Sequence, residues 1–332
     1  MFTAATNNAR LKINIRRISL PGRLLADLCN NRCMGCDFKY LILCALVFLS
    51  PPALSANQPA MGEVLAASSP ADWRPLDINN TLYVELPSGR VVIELAPAFA
   101  PLHVNNIKTL ARAGYFNGLA VIREQDNYVA QWGDPEHRHP LPAGIGKVAP
   151  EFDFPIPEHM SFATLPDGDV YAPEVGFSDG FPVARSLALQ RAWLAHCYGM
   201  VGVGRDLAAD SGSGAEMYVV IGHAPRHLDR NVALVGRVVK GVELLSALPR
   251  GSLEMGFYSK TQSPLPIKSI RVAADVPAAE RSNLEVIRTD TATFKALIES
   301  RRNRPEEFFK VPAGRIDLCN VPIAVREAPH AR

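Results

Sequence analysis

The residues with chemical capacity gather in one stretch, Tyr115 to Pro135. It carries a guanidinium at Arg123 and an amide at Gln131, set among apolar and aromatic side chains. It reads as a turn, a short strand through Arg123, a polar turn at Gln125 to Asn127, and a second strand ending at Gly133. In a strand, side chains return to the same face every second residue. Val121 and Arg123 are therefore expected on one face of the first strand, and Val129 and Gln131 on one face of the second. As antiparallel neighbours, the two strands would present a cation, an amide and apolar groups on a single surface. That mixture suits a neutral peptide better than a strongly charged ligand. The plainer alternative is an ordinary hairpin with an exposed arginine.

Other arrangements carry less. His137 and His139 flank Arg138 with no third ligand placed, so a metal site is not specified. His223 and His227 stand four apart, but Pro225 between them excludes an undisturbed helical pair. Gly202-Val203-Gly204 and Gly212-Ser213-Gly214 lack the Gly-Lys-Ser/Thr that a phosphate loop needs, and read as turns. Asp210, Ser211 and His223 are hydrolase residue types without a nucleophile elbow. No cofactor is called for.

The elements that position the Arg123 stretch come from a chain with a divided composition. A formal net charge of only +2 over 332 residues gives no electrostatic case for nucleic acid or an anionic membrane. At 48% apolar residues, the chain can build a substantial core. Near the N-terminus, Lys39 precedes the apolar run Tyr40 to Leu49, and Pro51, Pro52 and Ala53-Leu54-Ser55-Ala56 follow. This is the pattern of a secretory signal over residues 34–56, cut after Ala56, and it is short for a membrane span. An uncleaved anchor is the alternative. Met34 stands at a natural distance for a start, which makes 1–33 an upstream segment that need not be translated. Rival readings of that segment are an organelle transit peptide and a twin-arginine signal at Arg16-Arg17. The expected location is periplasmic or secreted, with the membrane met only through the signal segment. Of six cysteines, Cys29, Cys33, Cys36 and Cys44 fall in the part expected to be lost. Cys197 and Cys319 remain, open between one disulfide across a very long loop and two unrelated buried thiols.

Along the remaining chain, 57–79 reads as a Pro/Ala/Ser-rich linker. Thr81 to Leu86 and Arg90 to Leu95 form a hairpin around Pro87-Ser88-Gly89. Pro101 opens a helix through Ala113, with Val104, Ile107, Leu110 and Ala111 on one face and Gly114 closing it. Pro135 to Ala195 is proline-dense and reads as a long excursion with little regular structure, apart from a helical piece near Ala184 to Leu194. Gly199 to Val203, Met217 to Gly222, Ala233 to Val239 and Ile267 to Ala273 read as strands. Gly241 to Leu248 reads as a short helix ended by Pro249. Thr291 to Arg302 reads as an amphipathic helix with basic residues near its end, and Gly314 to Val325 as a final extended segment. Strands dominate, and a closed antiparallel barrel removes the edges of such a set.

Order and spacing then become specific. Gly-Arg-Val-Val-Ile-Glu-Leu at 89–95, Ala-Pro-x-x-Val-x-Asn at 100–106 and Gly-Tyr-Phe-Asn-Gly at 114–118 come first. Arg123, Gln-Trp-Gly-Asp-Pro at 131–135 and Leu-Val-Gly-Arg-Val-Val-Lys-Gly at 234–241 follow. Together they resemble the cyclophilin family of peptidyl-prolyl cis-trans isomerases, from about Asn80 to Val276, with an enlarged insertion over 135–198 and a C-terminal extension over 277–332. The resemblance implies a mainly β fold: a closed eight-stranded antiparallel barrel with two capping helices. It implies a proline pocket on the outer face of the barrel and proline-containing polypeptides as partners. Arg123 falls on the family's active-site arginine and Gln131 on its pocket glutamine. The remaining pocket positions read Val121, Tyr128, Val129, Glu216, Met217, Tyr218, His227 and Leu228, with Tyr218 on the pocket-floor phenylalanine. Val232 stands where a pocket histidine is usual.

The implied chemistry needs no nucleophile. A prolyl peptide bond turns slowly because C–N resonance sets a barrier of roughly 18–20 kcal/mol. An arginine N–H aimed at the proline nitrogen favours the twisted amide over either planar form. Folding of exported proteins is the expected role. The alternative is a non-catalytic module that holds proline-containing segments as a chaperone or assembly factor. An ion pair of Arg123 with Glu124 or Glu216 is the plain structural alternative for that guanidinium.

Overall fold

Short apolar runs, punctuated by glycine and proline, set the element lengths. The computed structural model describes residues 58–134, 136 and 138–329, all within one compact unit. The signal-like run, the residues before it and the cysteines they hold lie outside the described residues, as do Pro135 and His137. Helix α1 (Met61–Ala66) and strand β1 (Trp73–Pro75) precede the hairpin of β2 (Thr81–Leu86) and β3 (Gly89–Leu95). Helix α2 (Pro101–Arg112) and a second hairpin, β4 (Ala120–Glu124) and β5 (Val129–Gly133), follow. Next come β6 (Phe154–Pro155), β7 (Ala163–Leu165), β8 (Glu174–Ser178), β9 (Phe181–Ser186) and β10 (Arg191–Leu194). The chain continues through β11 (Met200–Val203), β12 (Met217–Val220), β13 (Leu234–Lys240), helix α3 (Glu243–Ser246) and β14 (Ser269–Val272). Strand β15 (Leu284–Ile287), helix α4 (Ala292–Asn303) and β16 (Val325–Glu327) complete it.

Eight strands form one curled antiparallel sheet in the order β14-β2-β3-β13-β11-β12-β5-β4. Leu82, Val84 and Leu86 of β2 and Val91, Ile93 and Leu95 of β3 share its inner face. Val104, Ile107 and Leu110 of α2 join the same cluster. Burying each such side chain contributes about 1.5–3 kcal/mol. Pro101 occupies the first turn of α2, where its missing N–H has no partner to lose. Gly114, at φ +67°, lets the chain turn out of the helix. No ladder joins the edge strands β14 and β4, so the closed barrel expected from the pattern is an open, curled sheet. Irregular chain spans the gap: Ile267 donates to the Leu119 carbonyl at 2.7 Å, and Val121 to the Leu265 carbonyl at 2.9 Å. Proline at 264 and 266 interrupts what a regular closing strand would require.

The insertion corrects the reading of an irregular excursion. It folds as a five-stranded antiparallel sheet, β6-β10-β9-β8-β7. The stretch 184–194, read as helical, is the end of β9, a turn, and β10. The reason is physical. Val183, Ala184, Ala192 and Trp193 are all buried, so both faces of these strands are covered and no alternation shows. The helix formers Leu187, Ala188 and Leu189 occupy the exposed turn instead. Pro155 sits on the edge strand β6, where no ladder N–H is lost.

The segment read as a linker is also ordered from residue 58. Val64 of α1 packs in one cluster with Phe294, Leu297 and Ile298 of α4 and with Phe177 and Phe181 of the inserted sheet. β1 pairs with β15, and β15 with β16, in a three-stranded sheet that joins the two ends of the described chain. The final extended segment is mostly loop, and its strand begins only at Val325. A disulfide joins Cys197, just after β10, to Cys319 in a turn of the extension, with 122 residues of sequence separation. No helix among the described residues is long and apolar enough to cross a membrane.

Candidate active site

The β4–β5 hairpin places the guanidinium. Arg123 pairs with Gln131 in the antiparallel register, and Val121 pairs with Trp132. The register shifts between Val121 and Arg123, a bulge that sets two residues against one. The bulge breaks strict alternation, so the expectation of a shared face fails. Val121 is fully buried in the inner cluster, whereas Arg123 turns to the outer side. On β5 the alternation holds: Ala130 and Trp132 face in, and Val129 and Gln131 line the cleft. On β12, Met217 and Val219 face in, while Tyr218 faces the cleft.

Arg123 is nearly buried and held on three sides. Its Nε donates to the Met255 carbonyl at 2.7 Å and its Nη1 to Gln131 Oε1 at 3.0 Å. Its Nη2 donates to Gln125 Oε1. The rings of Tyr128 and Phe257 lie 5.5 and 5.4 Å from its central carbon, within cation–π range. Burial lowers the pKa of the group, yet a guanidinium stays charged in a protein. Gln131 then donates from Nε2 to Glu216 Oε2 at 3.0 Å. Glu216 thus reaches the guanidinium through an amide. Glu124 faces elsewhere: it is fully buried and pairs with Arg250 at 3.0 Å.

Arg123, Gln131, Tyr128, Val129, Glu216, Tyr218 and Leu228 line one cleft of about 970 Å³. Val121 and Met217 do not; the inner face claims both. His227 also lies aside: it stacks on Tyr128 with ring centroids 6.4 Å apart and lines a smaller neighbouring cavity of about 260 Å³. Val129, Tyr218 and Leu228 give the cleft an apolar floor beside Gln131. Among the described residues there is no group of three or more His, Cys, Asp or Glu able to hold a metal ion.

Three contributors carry no sequence signal of their own. Met255 and Phe257 belong to an irregular segment that lies along β4, with Tyr258 donating to the Ile122 carbonyl at 3.0 Å. Met255 adopts φ +57°, a left-handed conformation uncommon outside glycine, and this turn presents its carbonyl to Arg123. Gly256 follows at φ +78°, where a Cβ would meet Gln125 at 2.6 Å. The third is His196, which lies behind the floor with its Nε2 2.8 Å from the Tyr218 hydroxyl. Its Nδ1 stands 2.9 Å from Asp229 Oδ1. Asp229 takes Arg226 Nε at 2.6 Å, and Arg226 makes two further bonds of 3.0 Å to Asp169. Burial alone would raise the Asp229 carboxyl, but the bond from His196 and the charge of Arg226 outweigh it and hold the group below its ordinary range.

Comparison with known proteins converges on one family. A sequence model described as "Cyclophilin type peptidyl-prolyl cis-trans isomerase/CLD" matches residues 81–272. A "Probable peptidyl-prolyl cis-trans isomerase" of Brucella suis is 28% identical over 178 residues, covering 53% of this chain and 74% of that protein. A human protein named "Peptidyl-prolyl cis-trans isomerase-like 1" is 37% identical over 71 residues, or 21% of this chain and 40% of its own. Among solved structures, cyclophilin AquaCyp293 from Hirschia baltica superposes with a TM-score of 0.64 at 26% identity. That match covers 81% of this chain and 98% of the other, so it reaches beyond the family core into the added segments.

Proposed function

This chain belongs to the cyclophilin-type peptidyl-prolyl cis-trans isomerase family, and from that premise we propose that its Arg123 cleft isomerises prolyl bonds in exported proteins as they fold. The observation that carries the reading is the fixed guanidinium at the wall of an apolar-floored cleft, with Gln131 beside it. The pyrrolidine ring seats on Val129, Tyr218 and Leu228. The Gln131 amide meets the substrate backbone. The proline nitrogen gains a lone pair only as the amide twists, so an N–H directed at it binds the transition state more strongly than either planar state. Each ~1.4 kcal/mol of that difference is tenfold in rate. No bond is made or broken and no proton moves. Because Arg123 is already anchored, little reorganisation accompanies the step.

Export is supported by the signal-like pattern before residue 57 and by the Cys197–Cys319 disulfide, which suits an oxidising compartment. A second reading, retention of proline-containing segments without catalysis, draws on the same anchoring: three of the guanidinium's N–H groups already serve acceptors of the chain itself. A protease-coupled assay with an Ala-Ala-Pro-Phe anilide peptide separates the two. Acceleration of the slow cis phase by the wild-type chain supports isomerisation. Peptide affinity with no acceleration supports the binding module.

A further inference from the structure

Tyr218 carries a phenolic hydroxyl into the floor of the cleft, and the fold supplies a partner for it behind that floor. His196 is fully buried. Its ring lies within 9° of the Tyr218 ring plane, with centroids 6.3 Å apart, so the 2.8 Å bond runs edge to edge. The tautomer follows from the far side. Asp229, held ionised by Arg226, only accepts; its Oδ1 takes both the His196 backbone N–H and Nδ1 at 2.9 Å. Nδ1 therefore bears the proton, and Nε2 accepts from the Tyr218 hydroxyl. Burial pushes the imidazole down against the pull of Asp229, which keeps it neutral. The Tyr218 ring lies across Gly202, where a Cβ would meet its Cζ at 2.2 Å. Behind Tyr218 in this chain of bonds, His196 and Asp169 belong to the insertion, and Asp229 and Arg226, which link them, come from the turn after β12.

We propose that His196 is a positioning residue for the proline notch: the inserted sheet delivers its imidazole beneath the floor, where it holds the Tyr218 hydroxyl and fixes the surface on which the pyrrolidine rests. Without the imidazole, the hydroxyl is buried with no partner, and the side on which water can reach it is the cleft. A ring that turns that way narrows the notch. The loss then falls on substrate binding rather than on the chemical step, because Arg123 and its anchors are untouched. This explains a use for the insertion that neither Arg123 nor Gln131 requires.

The inference rests on the proline reading of the cleft, so its test includes one arm that needs no isomerase activity. In the full chain, nitrogen-15 spectra of His196 are expected to show the Nδ1-protonated tautomer, with the Nε2 signal shifting on Tyr218→Phe. An Nε2-protonated ring, or no response to Tyr218→Phe, overturns the proposal whether or not the protein is active. In the peptide assay, His196→Ala is expected to raise KM about tenfold with kcat retained, the factor that ~1.4 kcal/mol of lost binding gives. Adding Tyr218→Phe to His196→Ala is expected to return KM to that of Tyr218→Phe alone, since no hydroxyl is left to place. Should the double variant keep the defect, or kcat fall with KM unchanged, His196 is a structural plug and the proposal fails. Peptide Kd replaces KM if the wild type proves inactive, and His196→Gln, which retains an acceptor, serves if His196→Ala does not fold.

Discussion

Arg123 Nη1 donates to Gln131 Oε1 across 3.0 Å, at directly paired positions of one antiparallel hairpin. The backbone register and the side-chain bond therefore fix the same pair. A hydrogen bond to a charged group is worth about 1.5–3 kcal/mol. Gln131→Ala is expected to lower kcat/KM by about tenfold or more, read in the prolyl peptide assay. A Gln131→Ala protein with unchanged kcat/KM would show that Met255 and Gln125 orient the guanidinium without it.

Met217 and Tyr218 are sequence neighbours on opposite faces of β12, and the two should report separately. Met217 is fully buried among Val201, Val203 and Val219. Met217→Ala is expected to cost about 2–5 kcal/mol of stability through the cavity it leaves, measured by urea denaturation, with KM for peptide unchanged. A KM effect matching that of a cleft residue would place Met217 in the site after all.

The parts legible in the sequence are those with a period or a punctuation mark. The Thr81–Leu86 hairpin, the Pro101 helix and the helix after Thr291 all announce themselves through alternation, a first-turn proline or an amphipathic pattern with basic residues near its end. Arg123 and Gln131 were reachable through motif order. Val121 was not, because a bulge is invisible to a rule of strict alternation. The inserted sheet was hidden for another reason: Ala184 and Trp193 are buried whichever face they occupy, so its strands carry no period of two. His196 and the Met255 carbonyl come from the insertion and from an irregular turn. Neither residue type is unusual in isolation, and only the folded chain brings them to the site.

Glu124 gives a pH signature. It is fully buried, and burial pushes its carboxyl up to about 8, with Asp126 adding to the rise and Arg250 opposing it. Between the ordinary value of 4.5 and about 8, the folded chain holds a proton that the unfolded chain has released. Raising the pH across that window therefore removes stability, by at most about 1.4 kcal/mol per pH unit. Glu124→Gln lacks this dependence. The melting temperature of the wild type is expected to fall behind that of Glu124→Gln as the pH rises from about 5 to about 8, and the gap to stay constant above that. A gap independent of pH would mean that Arg250 keeps Glu124 ionised throughout.

The Cys197–Cys319 link closes a long loop between the insertion's return and the C-terminal extension. Removing a native disulfide of this kind typically costs about 2–5 kcal/mol. Cys319→Ser is expected to lower the denaturation midpoint accordingly, and a non-reduced digest to join the peptides holding Cys197 and Cys319. Two separate peptides with reactive thiols would contradict the link and weaken the case for an oxidising compartment.

The most direct test follows a prolyl peptide while it is bound. Exchange spectroscopy on the cis and trans forms, with saturating wild-type chain and with Arg123→Ala, reads interconversion and affinity together. The expected result is fast on-protein interconversion for the wild type, and for Arg123→Ala a rate lower by about a hundredfold or more at similar affinity, as loss of an interaction made only in the twisted state requires. Equal interconversion rates in the two proteins would contradict the account.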